Sequence, residues 1–230
     1  MHDSARTGTQ KSHIYPFAAV LFDLDGVIID TTELHYRVWD EFARARGYVP
    51  SQAELNATTG RRAEDVLRAW FGEGRTEAQL ATLVLERETL FNRMLATAPV
   101  SAVPGVQAFL EALRRAGVPR AVGTSATPMN AELALSRLGL LEMFDARVTA
   151  EDVVQGKPHP EVYLKAASAL GVPPTECLVV EDAVLGVRAA RAAGARCLAL
   201  TTSFPRDVLL REEPQWLAED FRTLPSPVAL

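Results

Sequence analysis

Residues 17–22, Phe-Ala-Ala-Val-Leu-Phe, form a short unbroken apolar run that ends against Asp-Leu-Asp-Gly. A run of this length, bounded by charged residues and glycine, suits a strand buried on both faces of a parallel sheet. Comparable runs at 120–123, 177–180 and 197–200 predict further strands of the same kind. The segments between them change period. Val106, Phe109, Leu110 and Leu113 recur at the spacing of one helix face, as do Tyr163, Ala167 and Leu170, with Val184, Val187 and Arg191 following the spacing less cleanly. Gly117, Gly139, Gly171 and Gly194 close these segments, where a helix C-terminus favours a left-handed residue. Strand and helix therefore alternate from about residue 103 to 200, which implies an α/β layer fold with a mainly parallel, Rossmann-like sheet.

Residues 31–102 break the alternation. Leu34, Val38 and Phe42 share one helical face, 76–95 is rich in Leu, Ala, Glu and Arg, and no β-rich run intervenes. This block reads as an all-helical domain inserted after the first strand, with hinges near 30–32 and 99–104. The α/β core is assigned to 17–30 and 103–230, and 1–16 to a flexible tail. The chain from Pro214 onward is weakly patterned and is assigned only a peripheral role.

Composition narrows the function class. The 230 residues are 48% hydrophobic and 23% charged, values of a soluble protein with a real core, and the net charge of −5 argues against a nucleic-acid partner. No apolar run reaches the roughly 18 residues that span a membrane. The polar first fifteen residues lack the apolar stretch of a secretory signal, so a cytoplasmic protein is expected, with a monomer as the default. Cys177 and Cys197 lie in apolar segments and read as reduced core thiols.

The candidate chemistry sits at strand ends. Asp23 and Asp25, two apart at the end of the first strand, can face one site at the carboxyl edge of the sheet, where ligands of open α/β folds bind. Two such charges are unfavourable side by side unless a cation or a proton separates them, and Mg²⁺, which takes oxygen ligands, is the natural separator. Glu181 and Asp182 end another apolar strand and can complete the metal shell, or can sit as solvated acids at a helix N-terminus. Thr124 and Ser125 can hold phosphate oxygens or cap the next helix. Lys157, between Gly156 and Pro158, is either a site lysine or a surface residue.

In this order the motifs resemble the haloacid dehalogenase-like superfamily, in the branch with a helical cap inserted after the first strand. Asp23-Leu24-Asp25-Gly26 is similar to its nucleophile loop, Thr124 to its hydroxyl position, Lys157 to its lysine and Glu181-Asp182 to its acidic motif. The resemblance implies that Asp23 attacks phosphorus to form an aspartyl-phosphate and that Asp25 serves as acid and then base. It implies Mg²⁺ held by Asp23, the backbone carbonyl of Asp25 and Asp182, with Glu181 through water, and Thr124 with the Ser125 amide on the transferring oxygens. Asp25 argues for phosphoryl chemistry, because the dehalogenases lack that acid. The run from Asp30 to Trp39 resembles the cap entry of β-phosphoglucomutase and related sugar phosphatases, which places His35 at the cleft or packed in the core. The mutase pattern has Lys before the cap-loop glycine and Arg three residues after it; here Thr59 and Ala63 flank Gly60, and Arg61 and Arg62 either supply the cation or form a solvated pair. This departure favours a phosphatase of a small phosphorylated metabolite over a phosphomutase or a non-catalytic binding module.

Overall fold

The computed structural model describes residues 16–229, so the expected tail at 1–16 lies, but for Pro16, outside the described residues. Its sheet has six strands, all parallel, in the order β3-β2-β1-β4-β5-β6. These are β1 (Ala19–Phe22), β2 (Arg120–Gly123), β3 (Ala146–Val148), β4 (Cys177–Glu181), β5 (Arg196–Leu200) and β6 (Trp216–Ala218). The central β1 pairs with β2 on one side and β4 on the other, with Leu21 in register with Ala121 and Val179. Strand order reverses between β1 and β4, and the crevice beyond their carboxyl ends is where such sheets bind ligands.

Parity along the strands divides the core. Val20 and Phe22 of β1, with Leu178 and Val180 of β4, pack into the apolar layer under α5 (Val106–Arg115) and α6 (Pro128–Leu138). Ala19 and Leu21, with Cys177 and Val179, face the opposite layer under α7 (Glu161–Ala169) and α8 (Val184–Ala192). The expected thiols are there: Cys177 and Cys197 are buried and unbridged. The blurred periodicity of α8 has a physical cause. Its buried face is Gly186, Val187, Ala189 and Ala190, and a Cβ at Gly186 would lie 1.7 Å from Glu181 Oε1.

Two strands escape sequence reading. β3 is a three-residue edge strand whose middle residue, Arg147, is exposed. β6 lies inside the stretch assigned a peripheral role, and that assignment is corrected: Phe221 packs 5.2 Å from the Phe109 ring and 6.3 Å from Phe22, and Val228 is buried.

Between β1 and β2 the described elements preceding α5 are helices: α1 (Thr32–Arg44), α2 (Gln52–Asn56), α3 (Ala63–Phe71) and α4 (Glu77–Thr97). Leu34, Val38, Trp39 and Phe42 form the buried face of α1, and capping boxes fix the starts of α2 at Ser51–Glu54 and α4 at Thr76–Gln79. The two connections run side by side: Ile29 bridges Ala102, and the Asp30 amide donates to the Ser101 carbonyl at 2.9 Å. Among the described residues no helix is long and apolar enough to cross a membrane.

Candidate active site

Asp23 continues the parity of Ala19 and Leu21 one step past β1, and Glu181 continues that of Cys177 and Val179 in β4. With β1 and β4 in register, the two acids must meet on the face of the sheet that carries Tyr163. Lys157, from the turn before α7, reaches both: its Nζ lies 2.9 Å from Asp23 Oδ1 and 2.6 Å from Glu181 Oε1. The Tyr163 hydroxyl donates to the same Glu181 oxygen at 2.5 Å, while Glu181 Oε2 accepts the backbone N–H groups of Asp182 and Ala183 at 3.0 and 3.1 Å. Glu181 is fully buried and its oxygens are committed to four donors, so it acts on Lys157 more directly than on any ion. Burial favours a neutral amine at Lys157, yet Asp23 and Glu181 outweigh it and hold the ammonium above its ordinary range.

One ammonium serves two carboxylates, and a third stands beside them. Oxygens of Asp23, Glu181 and Asp182 lie within 4.8 Å of one another. Both Asp182 oxygens are buried without a hydrogen-bond partner. Burial, then Glu181 and Asp23, push the Asp182 carboxyl well above its usual range. Burial, with further contributions from Glu181 and Asp25, pushes Asp23 up to about 7 against the lowering effect of Lys157. At 4 Å and an effective dielectric of 20, two like charges repel by about 4 kcal/mol. An orphaned carboxylate in an all-oxygen acidic cluster is the donor set a hard divalent cation takes, so the residues present fit such an ion. Gly26, at φ +75°, makes the approach possible, since a Cβ there would fall 1.9 Å from Asp182 Oδ2.

This geometry has a stability consequence. Folded Asp23 and Asp182 bind protons that the unfolded chain has already lost, so metal-free stability falls as pH rises from about 4, the unfolded carboxylate range, to about 7. A divalent ion held among these acids would reverse the trend. Thermal unfolding in EDTA is expected to occur at lower temperature at pH 8 than at pH 5.5. Excess Mg²⁺ should raise the pH 8 midpoint by several degrees, since saturation at 100 times Kd is worth about 2.7 kcal/mol. An EDTA midpoint that rises with pH over this window would contradict the assignment.

Asp25 occupies the other side of the same cavity. Thr31 Oγ1 donates to its Oδ1 at 2.5 Å, and His35 Nε2 lies 3.1 Å from that oxygen but off the line of a hydrogen bond. Burial raises this carboxyl, yet His35, Thr31 and Arg87 outweigh it and hold Asp25 below its usual range. His35 answers both sequence readings at once: its ring stacks 4.4 Å from Phe91, and it also faces the cleft. Arg87 Nη2 meets His35 Nδ1 at 2.9 Å; an arginine can only donate, so Nδ1 accepts.

The buried Thr124 and the half-buried Ser125 line the cavity with Asp23, Asp25, Gly60 and Arg61. Neither caps α6; Thr127 does, accepting from the Asn130 amide. Thr124 Oγ1 accepts the Ala126 amide at 3.0 Å, and the Ser125 hydroxyl donates to the Gly60 carbonyl at 3.0 Å, tying the helical segment to the sheet. Arg61 and Arg62 part company. Arg61 lines the cavity, whereas Arg62 is held by Asp65 at 3.1 Å and by the Val154 carbonyl at 3.1 Å. Sequence reasoning passed over Thr31, Arg87, Glu88 and Asn130. One signal for Arg87 was available: it falls four residues before Phe91 and seven after Leu80, on the buried stripe of α4.

Residues 17–194 match the haloacid dehalogenase-like hydrolase family model. Validoxylamine A 7'-phosphate phosphatase of Streptomyces hygroscopicus subsp. limoneus is 34% identical over 210 residues, covering 87% of this chain and 97% of the relative. Hexitol phosphatase A of Escherichia coli (strain K12) is 38% identical, covering 81% of this chain and 83% of the relative. Among solved structures, a HAD hydrolase of family IA, variant 3, from Entamoeba histolytica HM-1:IMSS superposes with a TM-score of 0.83 at 28% identity, covering 92% of this chain and 96% of that one. With the family model spanning β1 to β4, the helical segment and every acid of the cluster, the chain belongs to the haloacid dehalogenase-like hydrolases.

Proposed function

We propose that this enzyme is a Mg²⁺-dependent phosphatase that hydrolyses a small sugar or polyol phosphate through an aspartyl-phosphate on Asp23. The observation that carries this reading is the placement in one cavity of Asp23, held by Lys157 at 2.9 Å, with Asp25, a second carboxyl facing the same space. The relatives named as phosphatases of a hexitol and of validoxylamine A 7'-phosphate support the same class of substrate.

In the first step a carboxylate oxygen of Asp23 attacks phosphorus, and the ester oxygen departs with a proton from Asp25. Asp25 acquires that proton when a phosphate dianion, whose charge raises a nearby carboxyl, enters the cavity. In the second step Asp25, now ionised and held so by Thr31, His35 and Arg87, takes a proton from water as that water attacks the phospho-Asp23 phosphorus. Phosphate leaves, and both acids return to their starting states. Thr124 and the Ser125 amide hold the transferring oxygens. Asp23, Asp182 and the Asp25 carbonyl would hold Mg²⁺, which when bound neutralises charge on the nucleophile and the phosphate. Residues 31–102 form a cap over 17–30 and 103–230. Its ties to the sheet side, Ser125 to Gly60, Arg62 to Val154 and Thr32 Oγ1 to Ser203 Oγ at 2.9 Å, close the cavity during the first step.

Phosphate release from a panel of phosphorylated metabolites, with Mg²⁺ and with EDTA, tests this. Metal-dependent release is expected. Conversion of β-glucose 1-phosphate to glucose 6-phosphate without free phosphate would replace the phosphatase by a mutase, and no turnover at all would leave a binding module. Asp25→Asn should lower kcat for an alkyl or sugar phosphate by about 10²–10⁴-fold. It should cost less for p-nitrophenyl phosphate, whose leaving group needs no proton. Equal losses for the two substrates would remove Asp25 from the acid role.

A further inference from the structure

The lobe of the cavity formed by α4 and α6 contains three polar side chains that the chemistry above does not use directly: Arg87, Glu88 and Asn130. All three are buried, at 4%, 8% and 3% exposure. Arg87 is committed through both terminal nitrogens, while its Nε is buried without a partner. Its Nη1 donates to Glu88 Oε1 at 2.9 Å, its Nη2 to His35, and its guanidinium lies 4.4 Å from the Trp39 ring centre and 5.1 Å from that of Phe91. The other Glu88 oxygen, Oε2, accepts from the Asn130 Nδ2 amide. This contact fixes the orientation of the amide, because the flipped form would set Asn130 oxygen against a carboxylate. Asn130 Oδ1 is thereby left buried with no hydrogen-bond partner.

The chemical character of the lobe follows. A carboxylate oxygen accepts more than one hydrogen bond, so Glu88 keeps acceptor capacity beyond Arg87 and Asn130, and Asn130 Oδ1 has all of its own. What the pair lacks is a hydrogen-bond donor or a positive charge to spare. Neutral hydroxyl groups satisfy such a surface. A carboxylate or second phosphate set against these two side chains would face Glu88, whose neighbouring cation Arg87 is already paired with it; Arg61 lines the cavity from the loop after Gly60.

We propose that Glu88 and Asn130 determine specificity by accepting hydrogen bonds from the hydroxyl groups of a neutral polyhydroxylated leaving group, and that they disfavour leaving groups that carry a second anion. This rests on the phosphatase reading and names the part of the substrate that the site reads. A site built to hydrogen-bond hydroxyls rejects an analogue lacking them strongly, because its own buried polar atoms are then left unpaired.

The test compares kcat/KM for sorbitol 6-phosphate, n-hexyl phosphate and sorbitol 1,6-bisphosphate, each measured on the same preparation so that any inactive fraction cancels from the ratios. Wild type is expected to prefer sorbitol 6-phosphate over n-hexyl phosphate by about 30-fold or more, and over the bisphosphate by at least about 10-fold. Glu88→Gln should cut both ratios by about 10-fold, Asn130→Leu should cut the first, and Glu88→Asp should recover part of both. Wild type that hydrolyses the hexyl and sorbitol monophosphates equally, or that prefers the bisphosphate, would overturn this inference alone. Ratios unmoved in folded Glu88→Gln and Asn130→Leu would overturn it too. Turnover of none of the three would overturn the phosphatase reading and this inference with it.

Discussion

Asp23→Asn is expected to release no phosphate above a rate at least about 10⁴-fold below wild type, with Mg²⁺ saturating and with every substrate the wild type accepts. The amide is nearly isosteric with the carboxylate but has no anionic oxygen to attack phosphorus. The fold should survive. Lys157 retains Glu181 at 2.6 Å, and the Asn carbonyl oxygen can still accept from the same ammonium. A change in metal-free stability should accompany the loss of activity. Asp23 is the acid pushed up to about 7, so removing it removes a group that binds protons in the folded state only. The fall of the EDTA midpoint between pH 5.5 and 8 should therefore shrink in the variant and persist in part through Asp182. Circular dichroism, a phosphate assay and a melting series at the two pH values measure all three. Turnover within tenfold of wild type would remove Asp23 from the nucleophile's place.

The reason these residues could be named from sequence is that they lie where a few steric rules act alone. A six-residue apolar run fixes a two-faced strand, parity places Asp23 on one face of it, and the same parity in β4 delivers Glu181 to its side. Lys157 and the turn acids follow from order along the chain. What stayed hidden depends on contacts between distant segments. β3 and β6, at three residues each, have no pattern long enough to detect, and β6 exists because β5 offers it an edge. The division of labour between Glu181 and Asp182 is decided by Tyr163 and two backbone amides, none of which the adjacent pair of acids announces. Arg87-Glu88 sits within Leu-Glu-Arg-Glu-Thr, where charge masks the spacing to Leu80 and Phe91 that puts it on the buried stripe. It is buried because α6 brings Asn130 to it across 42 residues. Arg61 and Arg62 are indistinguishable in sequence, and only the position of Asp65 and the Val154 carbonyl separates them.

Lys157→Met should be the most destabilising single change in the site. It keeps an apolar stem beside the Tyr163 ring, 5.1 Å from the native ammonium, and deletes only the charge. Asp23 and Glu181 then stand buried, at 5% and 0% exposure, without the cation that sits 2.9 and 2.6 Å from them. Removing one partner of a buried ionic cluster costs about 3–5 kcal/mol, because the charge left behind is uncompensated. For a chain of this size that is a drop of roughly 6–20 °C in melting temperature. The cost should depend on pH in a defined direction. A buried carboxylate deprived of its cation binds its proton more tightly in the folded state, so the variant loses stability as pH rises above the unfolded carboxylate range near 4, and its deficit is larger at pH 8 than at pH 5.5. A double-mutant cycle separates charge from packing. Glu181→Gln in the Lys157→Met background removes one of the stranded charges while its amide oxygen can still accept the Asp182 and Ala183 N–H groups and its NH2 can donate to the Tyr163 hydroxyl, so the double variant should melt above Lys157→Met at pH 8. If packing of the lysine stem were what mattered, Lys157→Met would be nearly neutral and Glu181→Gln would bring no recovery at either pH. Mg²⁺ should narrow the deficit, since the positive charge it brings is what Asp23 has lost. On the proposed mechanism activity should stay low even then, because Lys157 would orient the attacking oxygen of Asp23 and the ion does not replace that contact.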